Sequence, residues 1–245
     1  MTRDCGFVFA PFAGNYGTGR FAIDEEFLRL SFASVSVEQI GVYGLRIFEQ
    51  DGSGTDLGLL DPRRARFEEA CRQFAAGRVA LSAFGDLCPP GCGFVVNSVQ
   101  SPHQPTGFND IAARFIQNLK LEPGRLPETV DVVLFLGRYH EGFGLHRDER
   151  DVAMFVLDGV KEFVVKDGDT ERHFKLTPGE YVQWRSPYWH RPHNPSGTWS
   201  LTMNINVGPA ETRIIEPGTP VEYASSATRL KDHAKYLMTR AKTTA

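Results

Sequence analysis

The sequence predicts a mainly β protein with flanking helices, in which short strands form a sandwich or barrel. Three observations predict this class. Beyond residue 128, short runs rich in β-branched and aromatic residues alternate with turn residues, as in antiparallel β domains. Two helix signals precede these runs, and one stretch of helical spacing follows them. The strand candidates are residues 130–136, 152–157, 162–165, 173–176, 181–184 and 200–207.

Residues 1–125 are expected to form an N-terminal α/β extension that braces the barrel. The segment 40–48 alternates loosely between apolar and polar residues, which favours a strand. A helix is expected over 61–76, because an aspartate at the N-cap is followed by proline at the first helical position and a glycine follows the last turn. A second helix is expected over 109–121, with apolar residues along one side. The stretch 85–107 between them is rich in turn residues.

The core, residues 126–210, precedes a C-terminal extension, residues 211–245. Asp158-Gly159 and the segment 166–169 are turn sequences that predict hairpins between neighbouring strands. Apolar residues at helical spacing predict a helix over about 225–242. This helix is expected to pack on the domain or on a partner subunit, so a homodimer formed through it is a further expectation.

Composition excludes several classes of protein. The apolar fraction is 41%, the charged fraction is 23% and the net charge is -3, which is typical of a globular protein and argues against a nucleic-acid-binding surface. No apolar run is long enough to span a membrane. The early apolar run 7–13 is short and broken by proline, so it is a poor signal sequence. Four scattered cysteines are too few for a disulfide framework. We therefore expect a cytoplasmic protein.

The residues with the clearest chemistry are His146, Asp148 and His190. Residues two apart in a strand point to the same face, so His146 and Asp148 can reach one metal ion. His190 follows His146 by 44 positions, after a hairpin-rich stretch that allows a later strand to return past the first. Two imidazoles and one carboxylate are the ligand set of non-haem iron(II). His193 is the alternative to His190 as the third ligand.

The spacing around these ligands resembles a known family. His146-x-Asp148 is followed by Gly159-Val160-Lys161, and a Pro178-Gly179-Glu180 turn leads through Ser-Pro-x-Trp to His190. This pattern resembles the core of the JmjC-type, cupin-fold 2-oxoglutarate oxygenases. It is particularly similar to members that hydroxylate protein side chains, including the asparaginyl hydroxylase of hypoxia-inducible factor and the ribosomal oxygenases. The basic residue 15 positions after the first histidine and the histidine 11 positions after the turn glycine both match, and the resemblance covers residues 132–207.

The resemblance implies a double-stranded β-helix core, the cupin or jelly-roll fold, and a division of roles. His146, Asp148 and His190 would bind iron(II). Lys161 would pair with the far carboxylate of 2-oxoglutarate, although a solvated strand lysine is the alternative. Asn204 matches a position near the cosubstrate, although it can also serve only the backbone of the barrel. The chain departs from the asparaginyl hydroxylase at Phe143, where a hydroxyl that helps to hold 2-oxoglutarate is missing, and the candidates for its replacement are Tyr139 and Tyr181.

The implied activity is hydroxylation of a C–H bond with iron(II), 2-oxoglutarate and O2. The resemblance favours a peptidyl, protein or amino-acid-like substrate. One alternative is an oxygenase of the same type that acts on a small metabolite. Another is a cupin that binds a metal without 2-oxoglutarate, as an isomerase or ring-cleaving dioxygenase, or a cupin module with no enzymatic activity. Lys161 separates the first two from the others, since a cupin that uses no dicarboxylate needs no cation there.

Overall fold

The protein folds around two antiparallel sheets that face each other. The computed structural model describes residues 16–22, 24–33, 45–48, 54–57, 60–96, 108, 111–112, 129–138, 144–148, 150–186 and 188–208. The strands of these residues are β1 Tyr16–Arg20, β2 Leu45–Phe48, β3 Gly54–Asp56, β4 Gly93–Val96, β5 Thr129–Gly137, β6 His146–Arg147, β7 Asp151–Gly159, β8 Lys161–Asp167, β9 Thr170–Leu176, β10 Glu180–Trp184, β11 Trp189–His193 and β12 Ser200–Gly208. The helices are α1 Glu25–Ala33, α2 Pro62–Ala75 and a 3₁₀ helix, Leu81–Leu87.

The last eight strands form a double-stranded β-helix. The larger sheet has the order β1-β10-β7-β12-β5-β4-β2-β3, and the smaller sheet has the order β6-β11-β8-β9. Along the chain from β5 to β12, the path therefore alternates between the two sheets, with one hairpin, β8–β9, inside the smaller sheet. This topology confirms the predicted fold class: a mainly β protein with a jelly-roll core, to which the N-terminal strands add at both edges of the larger sheet.

The two faces of the larger sheet have different tasks. On β7, the side chains of Val152, Met154 and Val156 point into the space between the sheets, where they meet the interior cluster. The alternate residues Ala153 and Phe155 belong to a second, larger core on the outer face. Strand side chains alternate between faces, so one strand can serve both cores. The interior of the barrel is thereby separated from the helix-covered core.

Helices α1 and α2 cover the outer face of the larger sheet. Phe32 of α1 packs edge-on against Phe74 of α2 at a ring-centroid distance of 5.3 Å. The start of α2 agrees with the sequence prediction: the Asp61 carboxylate accepts a hydrogen bond from the Arg63 amide, and proline follows at the first helical position. Gly77, just beyond the helix, adopts a φ of 74°. The expected helix over 61–76 is confirmed, and its buried residues Phe67, Cys71 and Phe74 belong to the core on the outer face of the sheet.

The turn predictions had two outcomes. The segment 166–169 does form the β8–β9 hairpin, where Asp167 pairs with Thr170. The prediction of a hairpin at Asp158-Gly159 is wrong, because β7 and β8 belong to different sheets and the chain crosses between them there. Gly159 has a φ of 77°, and a Cβ at this position would lie 2.1 Å from the Trp199 carbonyl oxygen. The crossing therefore requires glycine both for its backbone conformation and for space.

All six predicted strand segments of the core are present, and each is extended by one or more residues in the structure. Four strands were missed: β1, β3, β4 and β11, of which β4 lies inside the turn-rich stretch. The expected helix over 109–121 falls mostly outside the described residues, as do the apolar run 7–13 and the helix over 225–242. Of the second helix, only residues 111–112 are described, and both are helical and buried. Among the described residues, no helix is both long and apolar enough to cross a membrane.

Candidate metal centre

His146, Asp148 and His190 come together at one end of the barrel. Strand β6 pairs with β11, and this register places His146 directly opposite His190. One potential ligand atom from each of the three residues lies within 4.8 Å of the other two. His190 Nε2 is 3.3 Å from Asp148 Oδ2, and the centroids of the two imidazole rings are 4.3 Å apart. The three residues therefore form a candidate metal site.

Backbone carbonyls orient both histidines. His146 Nδ1 donates to the Gly144 carbonyl, and His190 Nδ1 donates to the Tyr188 carbonyl, each at 3.0 Å. A carbonyl oxygen can only accept, so each Nδ1 carries a proton. Nε2 is therefore the ring nitrogen left to bind a metal ion, which is the usual arrangement of metal-binding histidines.

The surroundings of Asp148 favour the ionised form of its carboxyl group. Desolvation acts to raise its pKa, but the hydrogen bond with His190 and the charges of His190, His146 and Arg150 together hold the pKa below its ordinary value. Ser186 braces the same loop: its hydroxyl donates to the Asp148 carbonyl at 3.0 Å. Ser186 lies in the segment that leads to His190, so this bond ties the loop of one ligand to the loop of another.

His193 lies on the other face of β11. It is three residues from His190, an odd separation, and strand residues at odd separations point to opposite faces. His193 Nε2 is 2.8 Å from Glu162 Oε2, on the neighbouring strand β8. The structure therefore groups His190, and not His193, with His146 and Asp148.

Aromatic side chains fill the barrel behind the triad. The Trp184 ring lies 4.6 Å from the His190 ring, and the Phe163 ring stacks on His190 at 5.6 Å. Trp184 and Phe163 also contact each other, with their ring centroids 4.6 Å apart. All three side chains are almost fully buried. The interior side of the candidate metal site is therefore closely packed with aromatic rings, whereas Asp148 lies toward solvent with 36% of its side chain exposed.

Lys161 lies deep in the same interior. It shares its face of β8 with Phe163 and is 2% exposed. Its Nζ donates to Asn194 Oδ1 at 2.7 Å, and Ser200 Oγ donates to the same oxygen at 3.0 Å. Asn194 is held in turn by the bond from its Nδ2 to the Gly137 carbonyl, at 2.7 Å. Burial lowers the pKa of Lys161 to about 7.

The inward face of β12 is polar. Its outward residues belong to the large core, which leaves Ser200, Thr202, Asn204 and Asn206 facing the barrel interior. Two buried oxygens of this polar row, Thr202 Oγ1 and Asn204 Oδ1, have no hydrogen-bond partner among the described residues. The same holds for the buried Nε1 of Trp184. Buried polar atoms without partners are uncommon in native proteins, so these groups fit a polar ligand bound between the sheets.

The two tyrosines considered as replacements for the missing hydroxyl have different outcomes. Tyr181 does not reach the site: it belongs to the outer core, where its ring packs 5.3 Å from Phe155. A Cβ built on Gly19 would approach the Tyr181 hydroxyl to 2.5 Å, so that oxygen lies over strand β1. The physical reason is parity, because Tyr181 is an odd number of residues from Trp184, which faces inward. Tyr139 and Phe143 lie outside the described residues.

Sequence reasoning missed three residues that hold or line the site. Asn194 supports Lys161, Ser186 supports Asp148, and Thr202 lies on the polar row of β12. A signal for Thr202 was present, since it alternates with apolar residues in a strand and lies two positions before Asn204. No comparable pattern marks Asn194 or Ser186, because each acts through a contact between segments far apart in the sequence.

The donor set fits a divalent transition metal such as iron(II). Two imidazoles and one carboxylate occupy one side of the site, and imidazole with carboxylate suits iron among other metals. The buried Lys161 and the unpartnered Thr202 hydroxyl and Trp184 indole lie on the interior side, where an anionic cosubstrate could contact them. The residues that are present therefore fit both a metal ion and a dicarboxylate.

Comparisons with known proteins give similarities of fold. No model of a known protein family matches the chain, and no curated protein matches it in sequence. Among solved structures, the Escherichia coli ribosomal oxygenase YcfD is 13% identical, with a TM-score of 0.46 over 92% of this chain and 62% of that protein. YcfD in complex with cobalt and 2-oxoglutarate gives the same values. A deletion mutant of the Bacillus subtilis oxalate decarboxylase OxdC is 17% identical over 33% of this chain and 22% of that one, with a TM-score of 0.29.

The chain therefore spans less than two thirds of the length of YcfD. At these identities the similarity concerns the fold, and it assigns no activity to this chain.

Proposed function

We propose that the protein is an iron(II)- and 2-oxoglutarate-dependent oxygenase that hydroxylates a C–H bond of a peptidyl, protein or amino-acid-like substrate. One observation carries the proposal: the His146–Asp148–His190 cluster shares its barrel interior with a buried lysine, Lys161. Lys161 Nζ already donates to Asn194, and an anion bound next to it in the same interior would favour its charged form. When bound together, iron(II), 2-oxoglutarate and dioxygen oxidise a C–H bond and release succinate and carbon dioxide.

The distance between the lysine and the metal site favours a long dicarboxylate. Val165 lies directly opposite His190, and Lys161 is four residues before Val165 on the same face of β8. At about 3.3 Å per residue, the two levels are about 13 Å apart. A two-carbon diacid such as oxalate is too short to reach both the metal site and the ammonium group. The five-carbon chain of 2-oxoglutarate reaches farther toward the lysine, whose flexible side chain covers part of the separation.

Each residue of the site has a defined task in this proposal. The three ligands would hold the metal from one side and leave the remaining positions to the cosubstrate and oxygen. Lys161 would bind the far carboxylate by a charge-assisted hydrogen bond, while Trp184 and Phe163 keep water from the interior. Asp148 would hold its negative charge without taking up a proton.

The substrate class rests on the resemblance of the motif to protein hydroxylases. Trp189, which precedes a ligand histidine in β11, is 44% exposed, and strand alternation turns it to the outer face of the smaller sheet, away from the metal ligands. It therefore does not carry the choice of substrate.

Two measurements on the purified protein test the proposal. The first is the affinity of 2-oxoglutarate for the Mn(II)-loaded protein without oxygen, measured by calorimetry. The second is succinate release with iron(II) and ascorbate under air. Lys161→Ala should lower the affinity for 2-oxoglutarate by about tenfold to a hundredfold, the cost of losing a charge-assisted bond. The control Lys175→Ala, an exposed lysine of β9, should leave both measurements unchanged.

Binding of Mn(II) without any binding of 2-oxoglutarate would reject the proposal in favour of a cupin that uses a metal alone. The substrate class is tested separately, by incubation with pooled peptides and with free amino acids followed by mass spectrometry. Gain of one oxygen atom in a peptide supports the proposed class. Gain only in a small metabolite supports the alternative substrate.

A further inference from the structure

The polar row on β12 runs along the interior from the lysine end to the metal end. Ser200 marks the lysine end, since its hydroxyl and Lys161 Nζ both donate to Asn194 Oδ1. Asn206 marks the metal end of the row. It lies opposite Val152 of β7, and Val152 also lies opposite Trp184 of β10. The Trp184 ring packs on His190. Thr202 and Asn204 lie between these two ends.

Thr202 is a hydroxyl group in apolar surroundings. It is 1% exposed, and its cross-strand neighbours are Phe135 on β5 and Val156 on β7. Its Oγ1 has no hydrogen-bond partner among the described residues. Burial of an unpaired hydroxyl opposes folding, and valine has nearly the same shape without this cost. The position therefore bears a cost to stability that a bound ligand would remove.

The chemistry of the two unpartnered oxygens differs. Asn204 Oδ1 can only accept a hydrogen bond, and a carboxylate has no proton to give it. The Thr202 hydroxyl can donate, and it lies two residues from Ser200, at the end of the row where Lys161 is held. A carboxylate bound by Lys161 accepts several hydrogen bonds, so one donor alone does not satisfy it. Thr202 is the nearest donor of the row whose hydroxyl is not engaged.

We infer that the Thr202 hydroxyl donates a second hydrogen bond to the far carboxylate of 2-oxoglutarate, beside Lys161. This inference rests on the proposed function and extends it. It gives the task of the hydroxyl missing at Phe143 to strand β12, so that the lysine of the smaller sheet and the threonine of the larger sheet bind one carboxylate from two sides.

The test compares Thr202→Val, which removes the hydroxyl and keeps the shape, with Thr202→Ser, which keeps the hydroxyl. Calorimetry with the Mn(II)-loaded protein without oxygen measures two ligands: 2-oxoglutarate, and 2-oxobutyrate, which lacks the far carboxylate. Thr202→Val should weaken 2-oxoglutarate binding by about tenfold. It should change neither 2-oxobutyrate binding nor the affinity for Mn(II). Thr202→Ser should remain within about threefold of the wild type for both ligands.

Thermal unfolding separates this role from a structural one. Because the valine variant no longer buries an unpaired hydroxyl, its melting temperature without ligand should equal or exceed that of the wild type, although its ligand affinity falls. Thr177→Val removes an exposed hydroxyl that bonds Glu180 and should leave 2-oxoglutarate binding unchanged. If the valine variant does not fold, Thr202→Ala is measured in its place.

Equal affinity of the wild type and the valine variant for 2-oxoglutarate would overturn the inference and leave the proposed function intact. Equal losses for 2-oxoglutarate and 2-oxobutyrate would also overturn it, because the effect would not involve the far carboxylate. If the wild type binds Mn(II) but neither keto acid, the proposed function fails, and the inference fails with it.

Discussion

Lys161 should make the stability of the ligand-free protein depend on pH. Its side chain is 2% exposed, and burial lowers its pKa from the ordinary 10.5 to about 7. Between these two values the unfolded chain holds a proton that the folded chain does not. Stability therefore rises with pH across this window, since stability increases wherever the unfolded state binds more protons. Below pH 7 both states are protonated, and the folded protein bears the full cost of a buried charge.

The size of the effect follows from the two pKa values. Each unit of difference between the pKa values of Lys161 in the folded and unfolded states corresponds to about 1.4 kcal/mol of stability. The change from 10.5 to about 7 therefore amounts to about 5 kcal/mol. Between pH 7 and pH 9 the wild type should gain about 2 kcal/mol relative to a variant that has no amine there. Lys161→Met is the appropriate variant, because methionine is unbranched and apolar and fills a similar space.

Urea unfolding of both proteins at pH 7, 8 and 9 measures this difference. Other groups titrate in both proteins, so their contributions cancel in the comparison. The methionine variant should be more stable than the wild type at pH 7, and the gap should close by about 2 kcal/mol at pH 9. A gap that is independent of pH would show that Lys161 titrates at the same pH in the folded and unfolded states, which would refute the reasoning.

The same lysine should link ligand binding to proton uptake. A carboxylate beside Lys161 favours its charged form, so 2-oxoglutarate binding at pH 8 should take up about one proton from solution. Calorimetry in buffers with different ionisation enthalpies measures this number directly. Lys161→Met should show no such uptake.

Three further predictions concern the frame of the site. Ser186→Ala should weaken Mn(II) binding by about tenfold in a metal titration, because it frees the loop of the carboxylate ligand, whereas unchanged affinity would deny Ser186 a supporting role. His190→Ala should abolish Mn(II) binding in the same titration and His193→Ala should not, and the reverse result would move the third ligand to His193. Gly159→Ala should lower the free energy of unfolding in urea by at least about 2 kcal/mol, from backbone strain and a clash with a carbonyl. Its control Gly168→Ala, where φ is 60° and nothing lies within 4 Å of the new Cβ, should cost about 1 kcal/mol, and equal losses would argue against the clash.

Local sequence patterns predicted much of the fold, because most barrel strands have the composition and flanking turns that are typical of strands. β-branched and aromatic runs with turns between them located six strands of the core, and the cap and proline located α2. The strand β11 was missed because its sequence, Trp-His-Arg-Pro-His, has the composition of a loop. It is a strand because it pairs with β6 on one side and β8 on the other, and pairing between distant segments is not visible in a local pattern.

The candidate site also contains some residues that local sequence patterns predict and others that only the folded structure can place. The ligand cluster could be predicted, since His146 and Asp148 have strand spacing and the distance to His190 matches a known motif. Tyr181 could not be placed, because the choice between the two faces of β10 depends on which residues the barrel and the helices each cover. The sequence at 181–184 contains large side chains on both faces, so alternation alone does not tell the interior face from the outer one.

The distribution of the site over the two sheets has a structural consequence. His146, His190 and Lys161 all belong to the smaller sheet, whereas the polar row with Thr202 belongs to the larger sheet. Asn194 joins the two, since it accepts from Lys161 and from Ser200 and donates to the carbonyl of Gly137. A dicarboxylate held by Lys161 and Thr202 would make a second connection at the same level of the barrel. Binding of the dicarboxylate should therefore stabilise the packing of one sheet on the other, in addition to filling coordination positions of the metal ion.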